Sequence, residues 1–260
     1  MTTLPKTRDE LRERWQSGEQ FQFYLFYGHK PPAEGVDASC LSQWFVRDFT
    51  IDDINYPTAE HWMMAEKARL FGDDAMLLEI LASAGPRDAK AYGRKVSGFD
   101  NEIWGQRKFD IVVRGNLAKF SQHEDLKQFL LSTALFKTPA DSSADDQPVT
   151  ANPTAKFQLA AETGAGYDVD GHDVDGHDAD VDAESSDASV VRERTLGYEV
   201  NQPRVANSNV ILVEAAGRDT IWGIGLGVKN PKSQDPCTWR GLNLLGFALT
   251  IVRDQLMIAD

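Results

Sequence analysis

The sequence predicts an α+β fold in which helices outnumber strands and a polar segment interrupts the folded part. Apolar residues recur at helical spacing in several stretches, and a few short runs are rich in β-branched and aromatic residues. Residues 138–208 show neither pattern. The chain has 260 residues, 42% of them hydrophobic, which is enough for one substantial core. We therefore expect a mainly helical single domain with a small sheet, split by an insertion.

The first 136 residues alternate between these patterns, with glycine, proline and capping residues at the boundaries. Pro57 fits the first position of the second helix, and residues 72–74 and 100–101 supply caps for later helices. Strand or extended character is expected at 21–27, 41–45 and 48–51, a turn at 52–55, and helices at 7–18, 57–71, 75–84, 86–92, 103–120 and 124–136.

After the insertion, residues 210–216 form an apolar, β-branched run that is typical of a buried strand. A stretch rich in glycine and aromatic residues follows at 219–225, and the last helix is expected from Gly241 to about Leu256. The first turn of that helix has free N–H groups that could hold a phosphate. An ordinary N-cap is the more frequent use of such residues.

The intervening segment is strongly acidic. Residues 137–191 contain 13 Asp and Glu against two Lys, which accounts for −11 of the net charge of −13 and leaves −2 for the rest. Asp-Val-Asp-Gly-His at 168–172 repeats at 173–177, which indicates a disordered, low-complexity spacer. A calcium loop is disfavoured, because Gly166 and Gly171 stand where an EF-hand needs its first carboxylate.

Composition also bears on compartment and partners. The nearly neutral folded part shows no basic stripe, which argues against tight binding of duplex DNA. Free thiols in a reducing compartment are the simpler interpretation of Cys40 and Cys237. The charged N-terminus lacks a signal-peptide core, and no run of about 18 apolar residues occurs. We expect a cytoplasmic protein with no membrane partner.

One predicted helix, at 56–71, carries ionisable residues inside its apolar stripe. Glu60 and Lys67 are two turns apart and lie on the face that includes Met63 and Met64. A lysine held against apolar surface loses affinity for its proton and becomes a usable nucleophile. The alternative is a structural ion pair, or long side chains whose charged ends reach water. On this helix alone, the structural interpretation is favoured.

Other candidate groups are scattered along the chain. Glu214 ends the buried strand, and Asp219 lies in the turn that follows it. Tryptophan and arginine side chains could stack a base or hold a phosphate, although packing and solvation are their more frequent roles. These candidates are Trp44, Trp222, Trp239, Arg94, Arg107 and Arg114. The sequence contains no glycine-rich phosphate loop of the usual spacing, no zinc pattern and no serine elbow.

Several motifs together resemble the YbiA-like, or NADAR, domain family. They lie at residues 56–68, 86–94, 212–215, 219–225 and 239–246, with Trp104 and residues 119–120 between them. The resemblance covers about 21–136 and 210–256 and implies a YbiA-like fold. It divides the chain into an N-terminal extension at 1–20, the first part of the domain at 21–137, an acidic insertion at 138–208 and the second part at 209–260.

The resemblance implies hydrolysis of a ribose C1–N bond without a metal or cofactor. Its suggested substrates are ribosylamino-pyrimidine phosphates, the early intermediates of riboflavin synthesis. The family's proposed catalytic lysine maps onto Lys67, which would form a Schiff base with ribose C1 while Glu60 or Asp219 moves protons. Residues expected to bind the substrate are Tyr56, Trp44, Arg94, Glu214, Trp222, Gly223 and Asn243.

Two other functions stay open at this point. The family is also associated with removal of ADP-ribose from guanine bases, which breaks the same kind of bond and makes ADP-ribosylated nucleic acid an alternative partner. A nucleotide-binding or interaction module without activity is the non-enzymatic alternative. In each case the partner is a small ribosylated base or nucleotide, or a nucleic acid that carries one. The sequence does not decide the oligomeric state.

Overall fold

The computed structural model describes residues 3–136 and 208–259, and all structural statements below refer to them. The predicted mainly helical α+β fold is confirmed. The helices are α1 (Arg8–Gln16), α2 (Ala59–Leu70), α3 (Asp74–Ala82), α4 (Pro86–Gly93), α5 (Asn101–Ser121), α6 (Glu124–Ser132) and α7 (Leu244–Ala259). The strands are β1 (Gln22–Phe26), β2 (Phe49–Ile51), β3 (Ile54–Tyr56) and β4 (Val210–Glu214).

The described strands form two small sheets. β1 and β4 pair in parallel, with Gln22 opposite Val210 and Phe26 opposite Glu214. The first four residues of β4 are fully buried, because helices cover both faces of this pair. β2 and β3 form an antiparallel hairpin, with Asp52 and Asp53 in the left-handed conformation at its turn. The predicted turn at 52–55 is thus a tight hairpin connection.

Helix α2 lies at the centre of the helical layer and packs against α3, α4 and α5. Two glycines allow this close packing. A Cβ atom at Gly93 would lie 2.0 Å from the Met64 sulfur, and one at Gly115 would lie 2.2 Å from the Trp62 ring. Residues 59–65 are all buried, so the first two turns of α2 are surrounded by protein. Because α4 sits so close, its side chains reach the start of α2.

Local boundaries agree with the sequence where a capping side chain sets them. Asp73 caps α3 and Asp100 caps α5 through bonds to backbone N–H groups, as expected. Pro57 was expected at the first position of α2, but Thr58 caps this helix and Pro57 lies outside it. Of the two possibilities expected at 41–45, a strand or an extended turn, the structure shows no strand. A 3₁₀ turn, Ala38–Leu41, precedes an irregular segment there, and the buried amine of Lys119 donates hydrogen bonds to two of its carbonyls.

The structure bears on two further expectations, that the cysteines are free thiols and that no segment spans a membrane. Cys40 is a buried thiol and Cys237 an exposed one, and they are not bonded to each other. Within 3–136 and 208–259, no helix combines the length and apolar character needed to cross a bilayer. The repeat at 168–177 and nearly all of the acidic insertion lie outside the described residues.

The two ends of the acidic segment are held together by the core. Ser208 donates a side-chain hydrogen bond of 3.0 Å to the carbonyl of Ala134. The fully buried Arg253 of α7 donates to the carbonyl of Val210 at 2.9 Å and to the hydroxyl of Thr133 at 3.5 Å. These bonds join the residues on either side of the insertion.

We therefore expect the insertion to be dispensable for folding. Replacing residues 138–207 by a Gly/Ser linker of about six residues should leave a cooperative thermal transition, with Tm equal to that of the full chain or up to about 8 °C higher. Each halving of a loop lowers the entropic cost of its closure by about 0.6 kcal/mol, so this shortening should stabilise the fold by about 2 kcal/mol at most. Circular dichroism melts of both proteins check this, and loss of the cooperative transition would show that the segment contributes to the core.

Candidate active site

Three carboxyl groups from separate parts of the chain meet beside α4. Glu60 lies in the first turn of α2, Glu214 ends β4, and Asp219 lies in the loop that follows β4. The three interact electrostatically, the positive charge of Lys90 on α4 acts on both glutamates, and that of Arg94, at the end of α4, acts on Glu60. We call Glu60, Glu214 and Asp219 the carboxyl cluster. Of the predicted site residues, the structure thus brings together this cluster, Arg94 and Trp44, and it adds Lys90.

Glu60 is held in place by the irregular segment before β2. Its backbone N–H donates to the carbonyl of Gln43 at 3.0 Å, and the side chain of the next residue, Trp44, hydrogen-bonds the Glu60 carboxyl group. Glu60 is only 3% exposed. Burial raises the pKa of Glu60 to about 7, with a smaller contribution from the negative charge of Asp219. The charge of Lys90, the Trp44 bond and the charge of Arg94 oppose this rise.

Glu214 is positioned by Asn243. The Asn243 amide oxygen accepts from the Glu214 N–H at 3.0 Å, and its NH₂ group donates to the carbonyl of Leu212 at 3.0 Å. Burial raises the pKa of the Glu214 carboxyl group to about 8, and the charges of Asp219 and Glu60 add to the effect while Lys90 opposes it. Both buried glutamates therefore titrate near neutral pH, where a carboxyl group can both give and take a proton.

Asp219 has a different role in the cluster. Its Oδ1 accepts three backbone hydrogen bonds, from the N–H groups of Ile221 at 2.9 Å, Trp222 at 2.7 Å and Gly223 at 3.3 Å. This carboxylate therefore organises the loop at 219–225. A Cβ at Gly223 would lie 2.9 Å from the Glu214 carbonyl oxygen, so glycine lets this loop pass close to the end of β4.

Two carboxyl oxygens of the cluster are buried and accept no hydrogen bond from the part of the chain that the structure describes. Oε1 of Glu60 and Oε2 of Glu214 are shielded from solvent and accept no hydrogen bond from residues 3–136 or 208–259. Buried polar atoms in native proteins nearly always have a partner, so atoms of this kind call for an explanation. Ligand hydroxyl or amine groups are the donors that such oxygens bind. Among the same residues, no three His, Cys, Asp or Glu side chains are arranged to hold a metal ion.

Lys67 lies on the same helix as Glu60 but in different surroundings. Its Nζ is 4.0 Å from the ring centroid of Phe99 and 5.7 Å from that of Trp104. The seven-residue spacing puts Lys67 and Glu60 about 10 Å apart along the helix axis. Met63 and Met64, which lie on the turn between them, are buried.

Some predicted substrate contacts lie in other environments. Tyr56 is 1% exposed, and its hydroxyl accepts from Arg69 at 2.9 Å, on the face of α2 where Arg69 pairs with Glu66. Trp222 is partly exposed. Its backbone N–H donates to Asp219, and its carbonyl accepts from the N–H of Leu245 at the start of α7. Arg94 is exposed at the end of α4, with its charge acting on Glu60.

The predicted phosphate site at the last helix does not match the geometry. Helix α7 begins at Leu244, three residues later than expected. The N–H groups of residues 242–245 donate to the carbonyls of Thr220, Gly223, Ile221 and Trp222 over 2.9–3.3 Å. Backbone acceptors therefore occupy the donors that an anion would need. Asn243 is fully buried with φ of 56°. Its side chain bonds the backbone of Glu214 and Leu212 and is not available to a ligand.

Other candidate residues fall outside the cluster. Trp239 is buried in the core, with its indole N–H bonded to the carbonyl of Ser233 at 3.0 Å. Arg107 and Arg114 line a separate cleft of about 240 Å³ between α2 and α5, where Arg114 pairs with Asp52 at 2.8 Å. Sequence reasoning missed Lys90. Its position one turn before Arg94 on a short amphipathic helix was the available signal.

Because Asn243 holds the end of β4, its loss should weaken the whole fold. We expect Asn243→Ala to lower the free energy of unfolding by about 2–4 kcal/mol, from two lost hydrogen bonds and a left-handed backbone that alanine tolerates poorly. Asn243→Gly removes the same bonds without the backbone strain and should be about 1 kcal/mol less destabilised. Urea unfolding of both variants measures this, and a change below about 0.5 kcal/mol for alanine would contradict the supporting role.

Comparison with known proteins finds a matching domain family and several relatives of this chain. The profile of the NADAR domain matches residues 25–147 and 204–257. The chain is similar to N-glycosidase R617 of Acanthamoeba polyphaga mimivirus, at 37% identity over 134 residues, 50% of this chain and 77% of that one. It is similar to N-glycosidase YbiA of Escherichia coli K12, at 32% identity over 98 residues, 38% of this chain and 58% of that one.

The fold is also that of a solved structure. The NMR structure of the E. coli protein YbiA aligns with a TM-score of 0.51 at 20% sequence identity, covering 93% of this chain and 88% of the other. At this identity the alignment bears on the fold alone, and it agrees with the α+β architecture.

Proposed function

This chain belongs to the NADAR domain family, and on that premise we propose that it is an N-glycosidase that hydrolyses the ribose C1–N bond of a ribosylated base. The observation that carries the proposal is the pair of buried glutamates, Glu60 and Glu214, each with a solvent-shielded oxygen that no described residue bonds. Groups with this placement suit general acid and base catalysis at neutral pH. Cytoplasmic localisation and independence of a cofactor remain predictions of the sequence.

Ribosylamino-pyrimidine phosphates are our proposed substrates. In such compounds the exocyclic amine is attached directly to ribose C1, so the sugar ring can open to an imine. An imine carbon accepts an amine nucleophile without prior activation by a metal. A lysine on the same helix face as an acid–base carboxyl group is therefore a sufficient catalytic set for this class of compound.

In the proposed reaction, the neutral amine of Lys67 adds to C1 of the opened sugar. A carboxyl group, Glu60 or Glu214, gives its proton to the nitrogen of the base, and the C1–N bond to the base breaks as a Schiff base forms between Lys67 and C1. The carboxylate then takes a proton from water as that water adds to C1. Collapse of the adduct releases ribose phosphate and restores the lysine amine.

The side chain of Phe99 contributes to this scheme through its contact with Lys67. The Lys67 amine lies over the Phe99 ring, in a geometry that stabilises a cation. Phe99 is 40% exposed. A base or sugar that takes the place of this ring would contact the Lys67 amine directly.

Purified full-length protein tested against two substrates decides the function. One is a ribosylamino-pyrimidine phosphate, with release of ribose phosphate as the readout; the other is an oligonucleotide with ADP-ribosylated guanine, with release of ADP-ribose. We expect turnover of the first. Turnover of the second alone would overturn the proposed substrate while keeping the bond type. Binding of either without turnover would overturn the enzymatic proposal in favour of a binding module.

A further inference from the structure

Lys90 lies within the motif at 86–94 but has no part in the reaction scheme. It lies in the last turn of α4, half-buried, with its Nζ 5.8 Å from the centroid of the Trp44 ring. The close packing of Gly93 against Met64 brings this helix onto α2. Lys90 therefore reaches the carboxyl cluster because of the fold.

The charge of Lys90 acts on both buried glutamates. Burial raises the pKa of Glu60, and among the groups that oppose this rise Lys90 has the largest effect. Its charge also opposes the rise in the pKa of Glu214. Arg94, one turn further along α4, acts on Glu60 from an exposed position. The groups that face the two glutamates are thus Lys90 and Arg94 from α4, Asp219 from the loop after β4, Trp44 from the segment before β2, and each other.

Charge balance explains why such a cation is needed. With all three carboxyl groups ionised, the cluster would hold three negative charges against the positive charges of Lys90 and Arg94. Like charges in a buried site cannot all ionise without a compensating charge. Asp219 adds a carboxylate whose Oδ1 is held by three backbone N–H bonds. A cation whose charge acts on both glutamates lets one of them ionise while the other keeps its proton.

We propose that Lys90 is a positioning residue for the N-glycosidase reaction, which holds the Glu60 and Glu214 pair in one-acid, one-base form through its place over Trp44. The inference rests on the proposed function for its catalytic consequence. Its structural part, the coupling of Lys90 to two glutamates, does not depend on which substrate is used.

A phosphate-binding role for Lys90 is the main alternative. Its position makes that role less favourable, because a phosphate at Lys90 would lie beside three carboxyl groups. The two roles differ in their kinetic signature. Loss of a phosphate contact raises KM with little change in kcat, while loss of the charge that sets the acid–base pair lowers kcat and moves the pH profile.

The test compares Lys90→Met and Lys90→Gln with Lys90→Arg and a matched control, Lys95→Met. Lys95 also lies over an aromatic ring, with Nζ 5.5 Å from the Tyr92 centroid, but outside the cluster. We expect Met and Gln to lower kcat at pH 7 by about tenfold or more and to move the pH profile upward by about one pH unit. Arginine should restore most of the activity, and Lys95→Met should behave as the wild type.

A second measurement needs no substrate. Carbon-13 NMR of labelled glutamate side chains, assigned by loss of signals in Glu60→Gln and Glu214→Gln, follows both titrations directly. Lys90→Met should move both glutamates to higher pH, and the control should leave them unchanged. Unchanged titrations would overturn the proposal, and so would a rise in KM alone. If no substrate is turned over, the proposed function fails while the NMR result still decides the role of Lys90.

Discussion

Lys67→Ala abolishes turnover, with an expected loss of at least about 10³-fold in kcat, because the variant has no amine to form a Schiff base. Lys67→Arg is the sharper substitution. A guanidinium group keeps the positive charge over Phe99 and Trp104, but it stays protonated and cannot attack ribose C1. Both variants should therefore be inactive if Lys67 is the nucleophile.

The same pair of variants distinguishes catalysis from packing. If Lys67 only stabilises the fold through its aromatic contacts, arginine should restore activity and alanine should show a modest loss of stability of about 1 kcal/mol. Steady-state kinetics with the ribosylamino-pyrimidine phosphate, together with thermal melts, give both readouts. Lys95→Ala is the matched control, since it removes a lysine over Tyr92 without touching the site.

The second large effect is expected at the two buried glutamates. Glu60→Gln and Glu214→Gln should each lower kcat/KM by about 10²- to 10⁴-fold, which is the usual contribution of a general acid or base. In the wild type, kcat/KM should follow a bell-shaped pH profile with limbs near 7 and 8, the pKa values to which burial raises the two groups. These limbs belong to the coupled pair. Each variant should lose one limb.

The same substitution should have the opposite effect on stability: Glu60→Gln lowers activity but should stabilise the fold at high pH. The folded state binds the Glu60 proton more tightly than the unfolded chain does, so this carboxyl group favours folding at low pH. That advantage is lost as the pH rises through about 7 for Glu60 and about 8 for Glu214. At pH 9 a glutamine avoids the cost of a buried charge, and Glu60→Gln should be more stable than the wild type by about 3 kcal/mol.

At pH 4 this difference should disappear, because the wild-type carboxyl group is then protonated in the folded state. Urea unfolding at pH 4 and pH 9 measures both values. Glu79→Gln on the exposed side of α3 is the matched control, with no expected change at either pH. A Glu60→Gln variant that is less stable than the wild type at pH 9 would contradict the buried, functional carboxyl group.

Local features of the fold were predictable because local chemistry decides them. The caps at Asp73 and Asp100, the apolar strand at 210–214 and the central helix all depend on short stretches of sequence. The segment at 41–45 was not predictable. Its apolar residues suggest a strand, but the buried amine of Lys119 donates to the carbonyls of Cys40 and Ser42 and holds the backbone in another form.

In the site, too, features set by local sequence were predictable, while contacts between separate elements were not. Burial of Glu60 followed from the apolar stripe of its own helix, and the end of β4 pointed to Glu214. Neither pattern showed that α4 would lie against α2, since that depends on the contact between Gly93 and Met64. Lys90 was therefore missed. The start of α7 was misplaced because carbonyls of residues 220–223, not a ligand, bond its first N–H groups.

Borohydride trapping tests the central proposal most directly. The full-length protein is incubated with the ribosylamino-pyrimidine phosphate and sodium borohydride, and the digested protein is mapped by mass spectrometry. We expect loss of activity together with a reduced ribose phosphate adduct on Lys67, and no adduct in the Lys67→Arg variant. An adduct on Lys90, or continued turnover in borohydride with no adduct, would contradict Lys67 as the nucleophile.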